Sequence, residues 1–348
     1  MIRATVVGGA GYAGGELLRL LDGHPEVDVV QVTSERLAGK AVAATHPPLR
    51  GRTELRFTSR TMLREVDVVF AAMSHGDSSG AIDQLRAAAP LVIDLGADFR
   101  LRDAGDYPRW YGWTHPSPGL LETAVYGLAE THRAEIASAS LIATGGCLAT
   151  ASILGLAPLA CAGLLDPAIP VVVEAKVGSS AAGSQAGDAT HHAHRSGEIR
   201  SYAPTGHRHT AEIAQELHLG AAGQTVAFSA TAVEAVRGVL VTAHAFINTD
   251  LDDRDLWRVY RSRYGAEPFV RIVKSRNGLH RSPSPKLLSG TNYCDVSFER
   301  DPHSRRVVVT AALDNLVKGS AGQAVQACNI RHGFTETVGL EFGGLYPI

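Results

Sequence analysis

Aromatic residues make up only 6% of the chain, cysteine occurs four times in 348 residues, and neither sign of charge dominates, the formal net charge being −2. Each scarcity excludes something. No long run of Lys or Arg appears, so a face that tracks nucleic-acid phosphates is not expected. No stretch reaches the length of a membrane span, and Met1-Ile2-Arg3-Ala4-Thr5-Val6-Val7 reads as a strand rather than a signal peptide. A cytoplasmic protein without a membrane partner is therefore expected. Cys147, Cys161, Cys294 and Cys328 show no CxxC spacing, which argues against a disulfide frame or a thiolate zinc site. What is present is ordinary for a soluble globular protein: 45% hydrophobic and 20% charged residues. The length suits two domains sharing a cleft.

The first region alternates strand and helix. Ile2 to Val7 is a β-branched run, followed by Gly8-Gly9-Ala10-Gly11-Tyr12-Ala13-Gly14 and then by the amphipathic Glu16-Leu17-Leu18-Arg19-Leu20-Leu21. Strand, glycine turn and helix stand in the order of a βαβ unit. Gly8, Gly11 and Gly14 permit a tight turn, backbone approach to a pyrophosphate, and close contact of helix and sheet. Free amides at the helix start would face the phosphates, so Gly8, Ala10, Gly11, Tyr12, Ala13 and Gly14 are candidate cofactor contacts. The next strand, Val27 to Thr33, ends in Ser34-Glu35-Arg36. An acidic residue about 20 positions beyond the last glycine is where a ribose hydroxyl is held, and an arginine there accommodates a 2′-phosphate. Arg36 can fork onto that phosphate and Ser34 can add a hydroxyl, which favours NADP(H) over NAD. Val66 to Ala72, ending at Ser74-His75-Gly76, and Leu91 to Leu95 extend the alternation. The expectation is an α/β fold with a Rossmann-type doubly wound parallel sheet, with Ser74 a candidate cofactor contact and His75 either at a strand end near the cofactor crevice or a loop histidine capping a helix.

A second signal follows. The apolar Leu141-Ile142-Ala143 meets Thr144-Gly145-Gly146-Cys147, after which Leu148 to Leu154 opens a helix. A thiol at a helix N-terminus is favoured as thiolate by exposed amides and the helix dipole, and two preceding glycines let a substrate approach. A thiolate nucleophile needs an acid/base partner. The segment Tyr202-Ala203-Pro204-Thr205-Gly206-His207-Arg208-His209-Thr210-Ala211-Glu212 is the richest source, with a helix opening at or near Thr210. On a helix start His209 and Glu212 share a face, so the carboxylate can orient the imidazole; a capping histidine beside a salt-bridging glutamate is the alternative. His191-His192-Ala193-His194-Arg195 invites a metal, yet no carboxylate stands at a recognised spacing, so no metal is expected there. A polar loop at the mouth of the site is the expected role.

The runs already quoted, together with Asp94-Leu95-Gly96-Ala97-Asp98-Phe99-Arg100, Tyr126-Gly127-Leu128, Gly290-Thr291-Asn292-Tyr293 and Asp314-Asn315-Leu316-Val317-Lys318-Gly319-Ser320-Ala321-Gly322-Gln323, resemble N-acetyl-γ-glutamyl-phosphate reductase. The resemblance spans nearly the whole chain in order. It implies an NADP-binding Rossmann domain over 1–146, completed by a C-terminal helix over 316–348, and an α/β catalytic and dimerisation domain over 147–315, like aspartate-semialdehyde dehydrogenases. It implies that Cys147 is the nucleophile and His209 the acid/base, with His207, Glu212 and Tyr202 nearby. It also implies that the helix after Asn315 touches the nicotinamide side of NADP, and that the assembly is a homodimer or homotetramer.

One region departs from the commoner pattern. Where that family shows serine-glycine-alanine-glycine-arginine, this chain has Val177-Gly178-Ser179-Ser180-Ala181-Ala182-Gly183-Ser184. This looks like the branch acting on α-aminoadipyl phosphate whose amino group is attached to the small acidic carrier protein LysW. On that reading Ser180, His194, Arg195 and Arg208, with Arg200, meet the carrier-borne substrate. The implied reaction is reduction of an acyl phosphate to a semialdehyde through a thioester on Cys147, in lysine or arginine biosynthesis. N-acetylglutamyl phosphate is the alternative substrate. A non-catalytic NADP sensor and an aspartate-semialdehyde or glyceraldehyde-phosphate type dehydrogenase are the rival readings.

Overall fold

The computed structural model describes residues 1–219 and 225–348. The chain forms two compact units, one of Met1–Gly145 with Ser320–Glu341, the other of Gly146–Gly319 with Phe342–Ile348.

In the first unit, β1 (Ile2–Val7), α1 (Tyr12–Asp22), β2 (Val27–Thr33), β3 (Phe57–Thr58), β4 (Val68–Ala71), α2 (Asp77–Ala88), β5 (Leu91–Asp94), β6 (Val125–Tyr126), α3 (Ala129–Ile136) and β7 (Leu141–Ala143) follow one another. The sheet runs β3-β2-β1-β4-β5-β7-β6 with every neighbouring pair parallel. β4 and β5 are buried along their whole length, as strands covered on both faces must be. The order reverses between β1 and β4, and that switch point is where such sheets open a ligand crevice at their strand ends.

The C-terminal region, expected as one helix over 316–348, is broken. A wide turn at Val317–Ala321 leads into a helix at Gly322–Arg331, which stops because Gly333 takes a left-handed φ of 69° just past its end. Within the first unit this segment is held by Arg133, whose guanidinium forks onto Glu336 at 2.9 and 3.1 Å, and by His24, whose Nε2 lies 2.9 Å from Asn329 Oδ1.

The second unit contains α4 (Cys147–Cys161), β8 (Val171–Val177), β9 (Ile199–Ala203), α5 (His209–Glu216), β10 (Val226–Val233), β11 (Val239–Phe246), α6 (Asp253–Tyr264), β12 (Val270–Ile272), β13 (Cys294–Arg300) and β14 (Arg306–Leu313). They build a mixed sheet in the order β12-β13-β14-β11-β8-β10-β9. α4 is apolar all round and buried from Leu148 to Leu159, lying on β11 and β14. Gly155 makes the close approach possible, since a Cβ there would sit 3.1 Å from Val309 and 3.3 Å from Ala311. Tyr260 donates its hydroxyl to the Gly155 carbonyl at 2.9 Å, a buried bond that locks α6 against α4.

Candidate active site

The glycine turn after β1 separates glycines that the fold requires from one that it does not. Gly8 has a φ of 75°, and a Cβ there would strike the Ala72 carbonyl oxygen at 2.4 Å; one on Gly14 would meet Gly9 Cα at 2.7 Å. At Gly11, the N-cap of α1, nothing lies within 4 Å of where a Cβ would stand, and no side chain caps the helix. The amides of Ala10, Tyr12 and Ala13 find no partner among the described residues. Bare backbone with unpaired donors at a helix start is what a pyrophosphate needs, so the turn fits a dinucleotide.

The thiol lies at the start of the second unit. Cys147 is the first residue of α4 and half-buried, whereas Cys294 and Cys328 are buried and Cys161 is exposed. Burial pushes the Cys328 thiol up to about 12, which removes it as a nucleophile near neutrality. Two glycines press on the nucleophile's surroundings. A Cβ on Gly146 would lie 2.2 Å from His209 Nε2, and one on Gly319 would lie 2.6 Å from Cys147 Cβ. The His209 imidazole thus rests directly on the peptide that enters Cys147.

A carboxylate ties this arrangement together. Glu212 is fully buried; its Oε2 accepts the Gly146 N–H at 2.8 Å, and its Oε1 stands 3.8 Å from His209 Nε2. The three-residue spacing on α5 brings imidazole and carboxylate to one side. His207 lies beneath: its Nδ1 accepts the His209 backbone N–H at 3.1 Å, and its ring meets His209 edge to face at 4.6 Å between centroids. With Nδ1 an acceptor, the neutral ring carries its proton on Nε2, 3.4 Å from the Tyr202 hydroxyl. Burial, helped by the Arg208 charge, lowers His207 to about 4. Burial, then a Cys147 thiolate, raises Tyr202 to about 12, so its hydroxyl stays protonated at working pH.

The His207 shift has a consequence for stability. A base whose folded pKa is depressed below its usual 6.5 contributes stability above 6.5 that is lost as pH falls towards 4. In urea unfolding, His207→Asn is expected to flatten the decline of stability between pH 6.5 and 4 relative to the wild type. An identical slope in both proteins would refute this burial of a neutral imidazole.

Residues 3–139 match the family model described as semialdehyde dehydrogenase, NAD binding domain, and residues 147–315 match semialdehyde dehydrogenase, dimerisation domain. A LysW-L-2-aminoadipate 6-phosphate reductase of Deinococcus radiodurans is 47% identical, covering 99% of this chain and 97% of that protein. A protein of Thermomicrobium roseum, provisionally given the same name, is 57% identical over 100% of both chains. The chain belongs to the LysW-aminoadipate phosphate reductase family. Solved structures agree on the fold: aspartate semialdehyde dehydrogenase II of Vibrio cholerae, with 16% identity, superimposes with a TM-score of 0.73 over 95% of this chain and 98% of its own. The Candida albicans aspartate semialdehyde dehydrogenase with NADP gives 0.68, at 16% identity, over 95% of this chain and 98% of its own.

For a chain of this family, the expected site residues divide into those brought together and those occupied elsewhere. Cys147, His209, Glu212, His207 and Tyr202 form one cluster in the second unit. Gly8, Ala10, Gly11, Tyr12, Ala13 and Gly14 form the turn of the first, with Ser34 half-buried, Arg36 exposed after β2, and Ser74 exposed after β4. Glu35, expected at a ribose, is exposed and accepts the Arg60 amide at 2.7 Å and the Ser59 hydroxyl at 2.9 Å, bonds that hold its carboxyl below the usual range. It braces the turn after β3.

Asn315, expected at the cofactor, holds the second unit together: its Oδ1 accepts the Gly238 N–H at 2.8 Å and its Nδ2 donates to Ser180 Oγ at 2.9 Å. That bond also buries Ser180, which was expected to meet substrate. Arg195, expected at the carrier, donates to the carbonyls of Val177 and Val233 at the ends of β8 and β10. His194 is exposed, and Arg208 is half-buried with its Nε lacking a partner among the described residues. No group of three or more His, Cys, Asp or Glu among the described residues could hold a metal ion, and no helix there is long and apolar enough to cross a membrane.

Three contributors carried no recognisable signal as single letters. Gly319 touches Cys147, Gln323 accepts the Gly145 amide, and His46 bonds the glycine turn.

Proposed function

We propose that the chain is an NADPH-dependent reductase of carrier-linked α-aminoadipyl 6-phosphate, or a closely related carrier-linked acyl phosphate, forming the semialdehyde through a thioester on Cys147. The single observation that carries this reading is Glu212, which grips the Gly146 amide and faces His209. One buried carboxylate thereby fixes nucleophile and imidazole relative to each other.

The chemistry follows from these groups. The Cys147 thiolate attacks the acyl carbonyl, the C–O bond to phosphate breaks, and inorganic phosphate leaves with its electron pair. The helix start at Cys147 favours the thiolate and offers amides to the developing oxyanion. A bound nicotinamide supplies the hydride that reduces the thioester. His209, which faces Glu212, then protonates the oxygen of the tetrahedral adduct; on collapse that oxygen returns its proton to His209 as the C–S bond breaks, releasing aldehyde and the Cys147 thiolate. His207, neutral at working pH, holds the His209 backbone and takes no proton in the reaction.

Arg36, exposed beyond β2, supports a 2′-phosphate contact and hence NADP over NAD. Arg208 and Arg200, the latter paired with Glu198 at 2.7 Å, supply positive charge on the second unit for an acidic carrier such as LysW, with the exposed His194 beside them in the proposal, and the relatives' names support that partner. The protein acts in the cytoplasm, in lysine biosynthesis with arginine biosynthesis as the related route, as a homodimer or homotetramer.

Comparing turnover of aminoadipyl phosphate borne by the carrier with that of N-acetylglutamyl phosphate tests the substrate. Carrier-linked substrate is expected to win by on the order of 100-fold in kcat/KM. Equal use of both would defeat the carrier reading.

A further inference from the structure

His46, which bonds the glycine turn, stands half-buried between the short helical turn Val42–Thr45 and Pro47. Its Nε2 lies 2.7 Å from the carbonyl oxygen of Gly9, inside the glycine turn. A carbonyl can only accept, so Nε2 carries the proton, in the neutral ring and in the imidazolium alike. The contact is built in from a second side. A Cβ on Gly15 would lie 2.5 Å from both His46 Nδ1 and Cε1, so the start of α1 is bare where the ring packs. Phe57 flanks the ring at 6.3 Å, edge on.

Gly9 is therefore held at both ends of its backbone. Its N–H donates to the Thr33 carbonyl at 3.0 Å and its C=O accepts from His46. In a trans peptide the carbonyl and the following N–H point in opposite directions, so gripping the Gly9 oxygen sets the direction of the Ala10 N–H. That amide has no partner among the described residues and stands next to the open space at Gly11. The hold matters because a glycine beside the peptide makes a flip of that plane inexpensive. A flipped plane would turn a carbonyl oxygen, instead of a donor, towards a phosphate.

We infer that His46 is a positioning residue for the dinucleotide: its Nε2–H fixes the Gly9–Ala10 peptide so that the Ala10 amide donates to the pyrophosphate. This rests on the cofactor reading above and adds a residue to it.

Calorimetric titration with NADPH, without acyl substrate, tests the inference on wild type, His46→Phe and His46→Gln. Phenylalanine keeps the ring's bulk beside Gly15 and loses the donor; glutamine keeps a donor that reaches the same carbonyl. Removing one neutral hydrogen bond is expected to weaken NADPH binding by roughly 3- to 10-fold in His46→Phe, with His46→Gln within about 2-fold of wild type. In turnover, the KM for NADPH should rise in His46→Phe while the KM for the acyl phosphate stays put, a split that general loosening of the fold would not produce. Wild-type affinity in His46→Phe overturns the inference. A wild type that binds no NADPH overturns the cofactor reading instead. Should His46→Phe fail to fold, the near-isosteric pair His46→Gln and His46→Glu carries the same test. Glutamate presents only acceptors to the Gly9 oxygen, so equal affinity in that pair also overturns the inference.

Discussion

Cys147→Ser is expected to lower kcat by about 10⁴-fold or more, with NADPH affinity unchanged in a binding titration. A serine hydroxyl fills nearly the same space on α4, so the fold should persist. It is not ionised at neutral pH, however, and the helix-start field that favours a thiolate cannot bring a hydroxyl into range. The other three cysteines offer no rescue: Cys294 and Cys328 are buried, and Cys161 lies at the far end of α4. Steady-state turnover of the acyl phosphate, followed at the NADPH absorbance, reads the effect. Turnover within tenfold of wild type would remove Cys147 from the chemistry.

Gly146→Ala should have the next largest effect, on the order of 100-fold in kcat, because the added methyl would stand 2.2 Å from His209 Nε2. The imidazole has little room to yield. Its residue is buried, its backbone N–H is bonded to His207, and Glu212 holds the same Gly146 peptide on the other side. Overpacking of this kind costs about 1–3 kcal/mol of stability, so thermal unfolding should fall by a few degrees while activity falls much further. Phosphate release from acyl phosphate should be impaired less than aldehyde formation, since the displaced group is the acid/base and the thiol remains. Equal loss at both steps would indicate general misfolding of the α4 start.

Much of this was legible in the letters. The β-branched run before Gly8 and the apolar run before Gly145 and Gly146 announced strands that end at glycine turns, because side-chain patterning and backbone freedom are local properties. Helical spacing put His209 and Glu212 on one face, with a capping histidine beside a salt-bridging glutamate as the other reading it allowed. What local pattern could not reveal was where each polar side chain finds its partner. Glu35 sits at a ribose-like position in the sequence, yet Ser59 and Arg60 reach its carboxylate from a turn more than 20 residues away. Asn315 and Ser180 bond one another across 135 residues, and Arg195 is drawn to carbonyls at two strand ends. These partners come from distant parts of the chain, at the exposed Glu35 as at the buried Asn315, so no local pattern announces them, just as none announced His46, a lone histidine before two prolines.

The most direct measurement mixes the wild-type protein with excess acyl phosphate in the absence of any nicotinamide cofactor, with phosphate release and the mass of the chain followed together. The expected result is a rapid burst approaching one phosphate per subunit, with the acyl group recovered on the Cys147 peptide and lost on treatment with hydroxylamine. No burst, or an acyl adduct on another residue, would contradict thioester chemistry at Cys147.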